Sequence, residues 1–188
     1  MIPTLQQGQF GRGWSEAGFD PYFSSVVLLV DASKRSNGST PSDIDVKGKT
    51  PTWSGNTQCK TDDFRFGTSS LYFDGSGDSL DFADSTDWTM GTGDATWEWW
   101  AKFSGATSTV RMFISQENTA DGFYSIQAYN FSDGRLTVFG SNGSTAVGST
   151  GGGLTNNAAW RHYAVVRFGA NLYSYFDGAR FTHSTGLS

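Results

Sequence analysis

The sequence predicts an all-β protein: a two-sheet antiparallel jelly-roll sandwich preceded by an extended N-terminal arm. Three observations predict it. Apolar and polar residues alternate through much of the chain, and nowhere do ten or more residues hold an apolar 3.6 period. The 24 glycines, with plentiful Ser and Thr, divide the chain into many short segments. Phe, Trp and Tyr make up 15% of it, and in an all-β protein such residues supply much of the core. At 188 residues the chain is long enough for one sandwich plus an appendage.

The elements follow in order. Residues 1–19 form the arm, and residues 20–188 the sandwich. The arm, MIPTLQQGQFGRGWSEAG and the residue after it, is polar and Gln- and Gly-rich, and it cannot bury a core of its own. Phe10 and Trp14 are its isolated apolar anchors, suited to fill pockets on a partner; an unattached terminus is the alternative reading. Residues 25–30, SVVLLV, read as a strand. Residues 32–52 are rich in Ser, Asp and Lys and read as a surface loop. Residues 70–74 alternate, with Leu71 and Phe73 on one face, and a turn at 75–77 leads to a strand at 79–82.

Residues 96–103 give the strongest strand signal. Trp97, Trp99, Ala101 and Phe103 share one face, and Glu98, Trp100 and Lys102 the other. In residues 110–116, Val110, Met112 and Ile114 alternate against Arg111, Phe113 and Ser115. Residues 123–129 and 135–140 read as a strand pair joined by a turn containing Asp133-Gly134. Residues 141–153, SNGSTAVGSTGGG, read as a flexible loop. Residues 160–168 set Tyr163, Val165 and Arg167 against His162, Ala164 and Val166. A strand at 172–176 then turns at Asp177-Gly178 into a last strand at 179–182.

Composition excludes several classes. The net charge is −5 with no basic stripe, which argues against a nucleic-acid surface. No apolar run reaches membrane-spanning length. The N-terminus has no basic region followed by an apolar core, so no secretory leader is expected. Cys59 is the only cysteine, so neither an internal disulfide nor a cysteine-based zinc site is available.

Four segments carry a family resemblance: FDGSGDSLDF (73–82), GTGDATWEWWAKF (91–103), WRHYAVVRF (160–168) and LYSYFDGARF (172–181). Their order and spacing resemble the laminin-G-like, concanavalin A-like jelly-roll domains, and most closely those in virion proteins of tailed phages, marine phages especially. DPYFS at 20–24 resembles the leading strand of that group, and MIPTLQQGQFGRG resembles the start of phage virion proteins. The resemblance covers roughly residues 20–181. It implies a virion structural protein of the tail, neck or capsid, made in a host cytoplasm and held on the particle by its arm. Its partners would be other virion proteins and host-surface glycans. Such domains continue past the Asp177-Gly178 hairpin, so the expectation is a sandwich lacking its last strands and open at an edge: either the chain is a portion of a longer protein, or a neighbour supplies the strands, with a homo-oligomer expected. The alternative is a secreted or cell-surface carbohydrate-binding lectin module.

Candidate chemistry is sparse. Sugars stack on exposed aromatics, and Trp100, Tyr124, Tyr173 and Tyr175 are the aromatics placed opposite a core-facing set; packing is the alternative reading of each. Calcium is the one cofactor considered. Asn118 and Asp121 resemble a pentraxin position where an acidic residue binds Ca²⁺, and Asp74 and Asp78 flank a Gly-Ser-Gly turn; turn chemistry is the alternative at both places. A retaining glucanase needs two carboxylates about 5–5.5 Å apart. The three glutamates, Glu16, Glu98 and Glu117, do not fall in the Glu-x-Asp-x-x-Glu pattern of such enzymes, so no enzyme is expected. His162 has no Ser or Cys partner visible in the sequence and reads as structural. Asn37, Asn130 and Asn142 begin N-x-S triplets to which no role is assigned.

Overall fold

The computed structural model describes residues 21–88, 93–103, 111–116, 126–130, 135–141, 146–153 and 158–185. Phe10 and Trp14 of the arm lie outside these residues, as do Asn118, Asp121 and Tyr124. Among the described residues all ladders are antiparallel and there is no α-helix. No helix among them is long and apolar enough to cross a membrane.

Among the described residues twelve strands occur in chain order: β1 (Pro51–Ser54), β2 (Gln58–Lys60), β3 (Ser70–Tyr72), β4 (Ser79–Phe82), β5 (Ala95–Ala101), β6 (Arg111–Gln116), β7 (Ile126–Asn130), β8 (Arg135–Ser141), β9 (Ala146–Gly153), β10 (Arg161–Phe168), β11 (Asn171–Phe176) and β12 (Ala179–Thr185). They form two four-stranded sheets, ordered β12-β11-β10-β5 and β6-β7-β8-β9, and two small ladders, β1-β4 and β2-β3. β10 is the hub of the first sheet, pairing with β11 on one side and with β5 on the other, where Tyr163 sits opposite Trp99 and Val165 opposite Trp97.

The core lies on one face of that sheet. Tyr163, Val165 and Leu172 are buried, and Trp97, Trp99, Ala101, Phe103, Phe113 and Phe176 pack against them. On β5 this is the face expected from the alternation in residues 96–103, and on β10 it is the face of Tyr163 and Val165. Phe113 comes from the other four-stranded sheet and joins the two layers. Its ring centroid lies 5.3 Å from Trp99, 5.1 Å from Phe103 and 5.0 Å from Tyr163. Trp99 stacks on Tyr163 at 5.6 Å with the planes 8° apart. Such pairs add to stability beyond the area they bury.

Phe113 reaches the core through an irregularity. The β6–β7 register passes from Met112 opposite Tyr129 to Ile114 opposite Ala128, leaving Phe113 unpaired. A bulge of this kind re-aims a side chain. It turns Phe113 inward and leaves Met112 exposed.

Five sequence expectations are corrected. DPYFS is not a strand: Phe23–Ser25 form a single 3-10 turn, closed by Ser25 N–H donating to Tyr22 O at 2.8 Å. Among the described residues SVVLLV contributes only an isolated bridge, Val30 to Asp45. The supposed surface loop 32–52 holds the deeply buried Ile44 and Asp45 and ends in the first strand, where Pro51 is buried. Asp45 Oδ1 accepts the N–H groups of Leu29 (2.8 Å) and Lys47 (3.0 Å), and Oδ2 accepts that of Lys49 (2.8 Å), which satisfies the buried carboxylate with backbone donors. Phe73, expected beside Leu71, lies past the end of β3 and is exposed. The glycine-rich stretch read as a flexible loop contains β9, which pairs with β8 from Ser141–Ala146 to Arg135–Gly153. Backbone bonding to β8 overrides the low strand preference of glycine there.

The strands on either side of the 75–77 turn do not pair with each other. β3 joins β2, and β4 joins β1. The Asp177-Gly178 hairpin is formed as the sequence suggests, with both residues at positive φ, 47° and 84°. That geometry suits the right-handed twist of the flanking strands.

Candidate functional site

Alternation along β5, β10, β11 and β12 assigns the side chains opposite the core to the outer face of the first sheet. Trp100 is opposite His162, Glu98 opposite Ala164, Ala164 opposite Tyr175, and Tyr175 opposite Arg180. The next row runs Thr96, Val166, Tyr173. Three of the four aromatics expected to contact glycans, Trp100, Tyr173 and Tyr175, therefore share one face. Tyr124, the fourth, lies outside the described residues. Trp100 is 37% exposed, and Tyr173 and Tyr175 are half-buried. Ala164 has a side chain of one methyl and is buried between larger neighbours, so it forms the floor of a shallow trough.

Polar groups flank the trough. His162 Nε2 lies 3.7 Å from Glu98 Oε2, an ion pair when the imidazole is protonated. The His162 ring is 5.2 Å from Trp100. Beside it, Asp177 Oδ1 accepts the His162 backbone N–H at 3.0 Å, and Oδ2 accepts from Arg161 at 2.7 Å. Burial alone would raise the Asp177 pKa, but the His162 N–H and the Arg161 guanidinium outweigh it and hold the carboxyl below its ordinary value.

One segment that sequence reasoning left unassigned also reaches this face. Residues 61–68 lie over the β5 side, where Phe66 meets Trp100 edge-on at 5.5 Å and the Arg65 guanidinium sits 4.6 Å from the Trp100 ring. Asp63 fastens the segment. Its Oδ1 accepts Trp160 Nε1–H at 2.9 Å, its Oδ2 accepts from Lys102, and its backbone carbonyl accepts from Ser70 at 2.6 Å. The bond from Lys102 chiefly lowers the Asp63 pKa. At the far side of the segment, Gly67 has φ +66° and touches Ser33, and Thr68 N–H donates to Ser33 O at 2.7 Å. The alternation aromatic–basic–aromatic in Phe64-Arg65-Phe66 is the signal that could have drawn attention to it.

The Asp74 and Asp78 carboxylates, considered above for calcium, are engaged in turn bonding. Asp74 accepts from Ser76 N–H and Asn56 Nδ2, both at 2.8 Å, while Asp78 accepts from the N–H groups of Asn56 (2.6 Å) and Asp74. Among the described residues no group of three or more His, Cys, Asp or Glu side chains is arranged to hold a metal ion. Cys59 is buried in β2, and burial raises its pKa, which disfavours the reactive thiolate.

Antiparallel layers with an aromatic interior define a jelly-roll module of the lectin-like kind. A laminin-G-type family model, described as the concanavalin A-like lectin/glucanases superfamily, matches residues 74–188. The chain belongs to that superfamily. The match spans β4 to β12 and so includes the whole outer face except residues 61–68. No curated protein matches the chain. Laminin-G-like domains are typically binding modules, and the superfamily also includes glycosidases.

Proposed function

We propose that this protein binds carbohydrate through the outer face of sheet β12-β11-β10-β5, and that it does so as a structural component of a phage particle. The single observation that carries the binding reading is the gathering of Trp100, Tyr173 and Tyr175 around the Ala164 floor. Aromatic rings offer apolar faces to sugar rings, and His162, Glu98 and Asn171 on the same face supply polar partners for hydroxyls. Membership of the lectin/glucanase superfamily supports the same class of ligand. The particle setting rests on the resemblance of residues 1–13 and 20–24 to phage virion proteins, with Phe10 and Trp14 as the docking anchors.

A glycan array with and without calcium tests the first half. The expected result is binding to a defined set of glycans that falls at least about tenfold in Trp100→Ala and in Tyr173→Ala, a loss of roughly 1.4 kcal/mol. Binding unaffected by both substitutions would place the site elsewhere. Strict calcium dependence would favour a site that includes Asn118 and Asp121. Deleting residues 1–18 tests the second half: the truncated protein should fail to enter particles. Normal incorporation would refute the docking role and favour a free lectin.

A further inference from the structure

We infer that the outer face selects acidic glycans, reading their carboxylate, sulfate or phosphate groups through Arg65 and Arg180. The inference rests on the glycan-binding reading above and names the ligand class. Arg65 Cζ lies 4.6 Å from the Trp100 ring centroid and 5.2 Å from that of Phe66. Arg180 Cζ lies 5.4 Å from the Tyr173 ring. Two of the three aromatic platforms therefore already carry a guanidinium, and a neutral sugar stacking there competes with it.

The charge of these two arginines is not spent internally. Arg35 pairs with Asp43, Lys49 with Asp87, Lys102 with Asp63 and Arg161 with Asp177. Among the described residues, Arg65 and Arg180 have no carboxylate partner. Lys47 and Lys60 also sit over rings, Phe23 and Tyr72, without a carboxylate ion pair among the described residues; what distinguishes Arg65 and Arg180 is that both rings they meet, Trp100 and Tyr173, belong to the outer face. A guanidinium held against an aromatic ring keeps its in-plane N–H groups available, and their fork matches the oxygens of carboxylate, sulfate or phosphate. Stacking also removes side-chain freedom in advance, which lowers the ordering cost of binding.

Spacing sets the ligand's length. Arg65 stands over β5 and Arg180 is on β12, at opposite edges of the sheet. Three strand spacings separate those edges, about 14 Å. One sugar cannot touch both ends, so the face suits an acidic oligosaccharide with charges on separate units, lying across the Ala164 floor. Glu98 opposes this from the same row, with a side chain 69% exposed. It should weaken acidic ligands and favour neutral groups at its own position on the β5 edge.

Matched ligands test the inference on the full chain: oligogalacturonate against its methyl ester, and dextran sulfate against dextran. At least one acidic member should bind about tenfold tighter than its neutral counterpart, with affinity falling as salt rises. Arg65→Gln and Arg180→Gln should each remove most of that preference at unchanged melting temperature, and Glu98→Gln should tighten the acidic ligand. Equal affinity within both pairs, or arginine variants that bind acidic ligands normally, would overturn the inference. If neutral ligands bind and are lost in Tyr173→Ala, the face remains the glycan site and only the acidic selectivity falls. If no glycan of any kind binds, the glycan reading falls with it. Single-stranded polydeoxythymidine bound as tightly as the acidic glycans would also overturn it, as that would show attraction to any polyanion.

Discussion

Tyr163 concentrates several demands in one side chain. It is 2% exposed, stacks on Trp99, touches Phe113 and Phe176, and is the largest fully or nearly fully buried residue of the core. Burial, aided by the charge of Asp177, pushes its pKa from the ordinary 10.0 to about 12. The folded value exceeds the unfolded one, so this contribution to stability is complete below about pH 10 and is lost as pH rises toward about 12. Melting curves across that window should show an alkaline loss that Tyr163→Phe reduces. Leu172, fully buried beside it, tests packing without ionisation: Leu172→Ala should cost about 2–5 kcal/mol in denaturant unfolding. A cost below 1 kcal/mol would show that this part of the core collapses readily around the gap.

At the scale of elements, the segment 61–68 ties packing to the site. Gly67 adopts φ +66°, and a Cβ built there would lie 2.0 Å from Ser33 O. The collision is with backbone, so it cannot be relieved by rotating a side chain. Gly67→Ala should therefore destabilise the protein by about 1 kcal/mol or more and shift Arg65 and Phe66 away from Trp100. Quenching of Trp fluorescence by acrylamide would report the change, with Trp100 becoming more accessible. The sequence made β5 and β10 legible because bulky apolar residues alternate there without interruption, and that same alternation placed Trp100 opposite Trp97 and Trp99. It did not disclose β9, whose Ala146–Gly153 has little side-chain pattern and is specified by the β8 backbone. Nor did it disclose Arg65, which reaches the face only through distant ties such as Asp63 to Trp160 and Thr68 to Ser33. Such ties are set by tertiary placement, which local periodicity does not encode.

At the scale of the whole molecule, carboxylates fasten peripheral segments to the sheets. Asp63 holds residues 61–68 to Trp160 and Lys102, Asp177 closes the β11–β12 hairpin onto β10, and Asp87 meets Lys49 across the β1–β4 region. All three have pKa values lowered from 3.8, through the Lys102 bond at Asp63, the Lys49 bond at Asp87, and the balance of burial against His162 and Arg161 at Asp177. Lowered folded values mean stability that is complete above about pH 4–5 and lost as pH falls through them. The melting temperature should drop on acidification below that point, and Asp63→Asn with Asp177→Asn should flatten the slope. An unchanged slope would assign acid sensitivity to other carboxylates.

The order of pairing around β10 has a consequence for how the chain folds. β10, β11 and β12 are joined by tight hairpins, and β6 to β9 form a second run of sequential neighbours. Within the two four-stranded sheets, β5 alone must wait, since its partner β10 follows only after the entire β6–β9 sheet has been laid down. Closing that long loop is entropically costly before any contact rewards it. Formation of the Trp97–Val165 and Trp99–Tyr163 pairs is thus the natural late step, and until it occurs the core lacks Trp97 and Trp99 and the outer trough lacks its Trp100 wall.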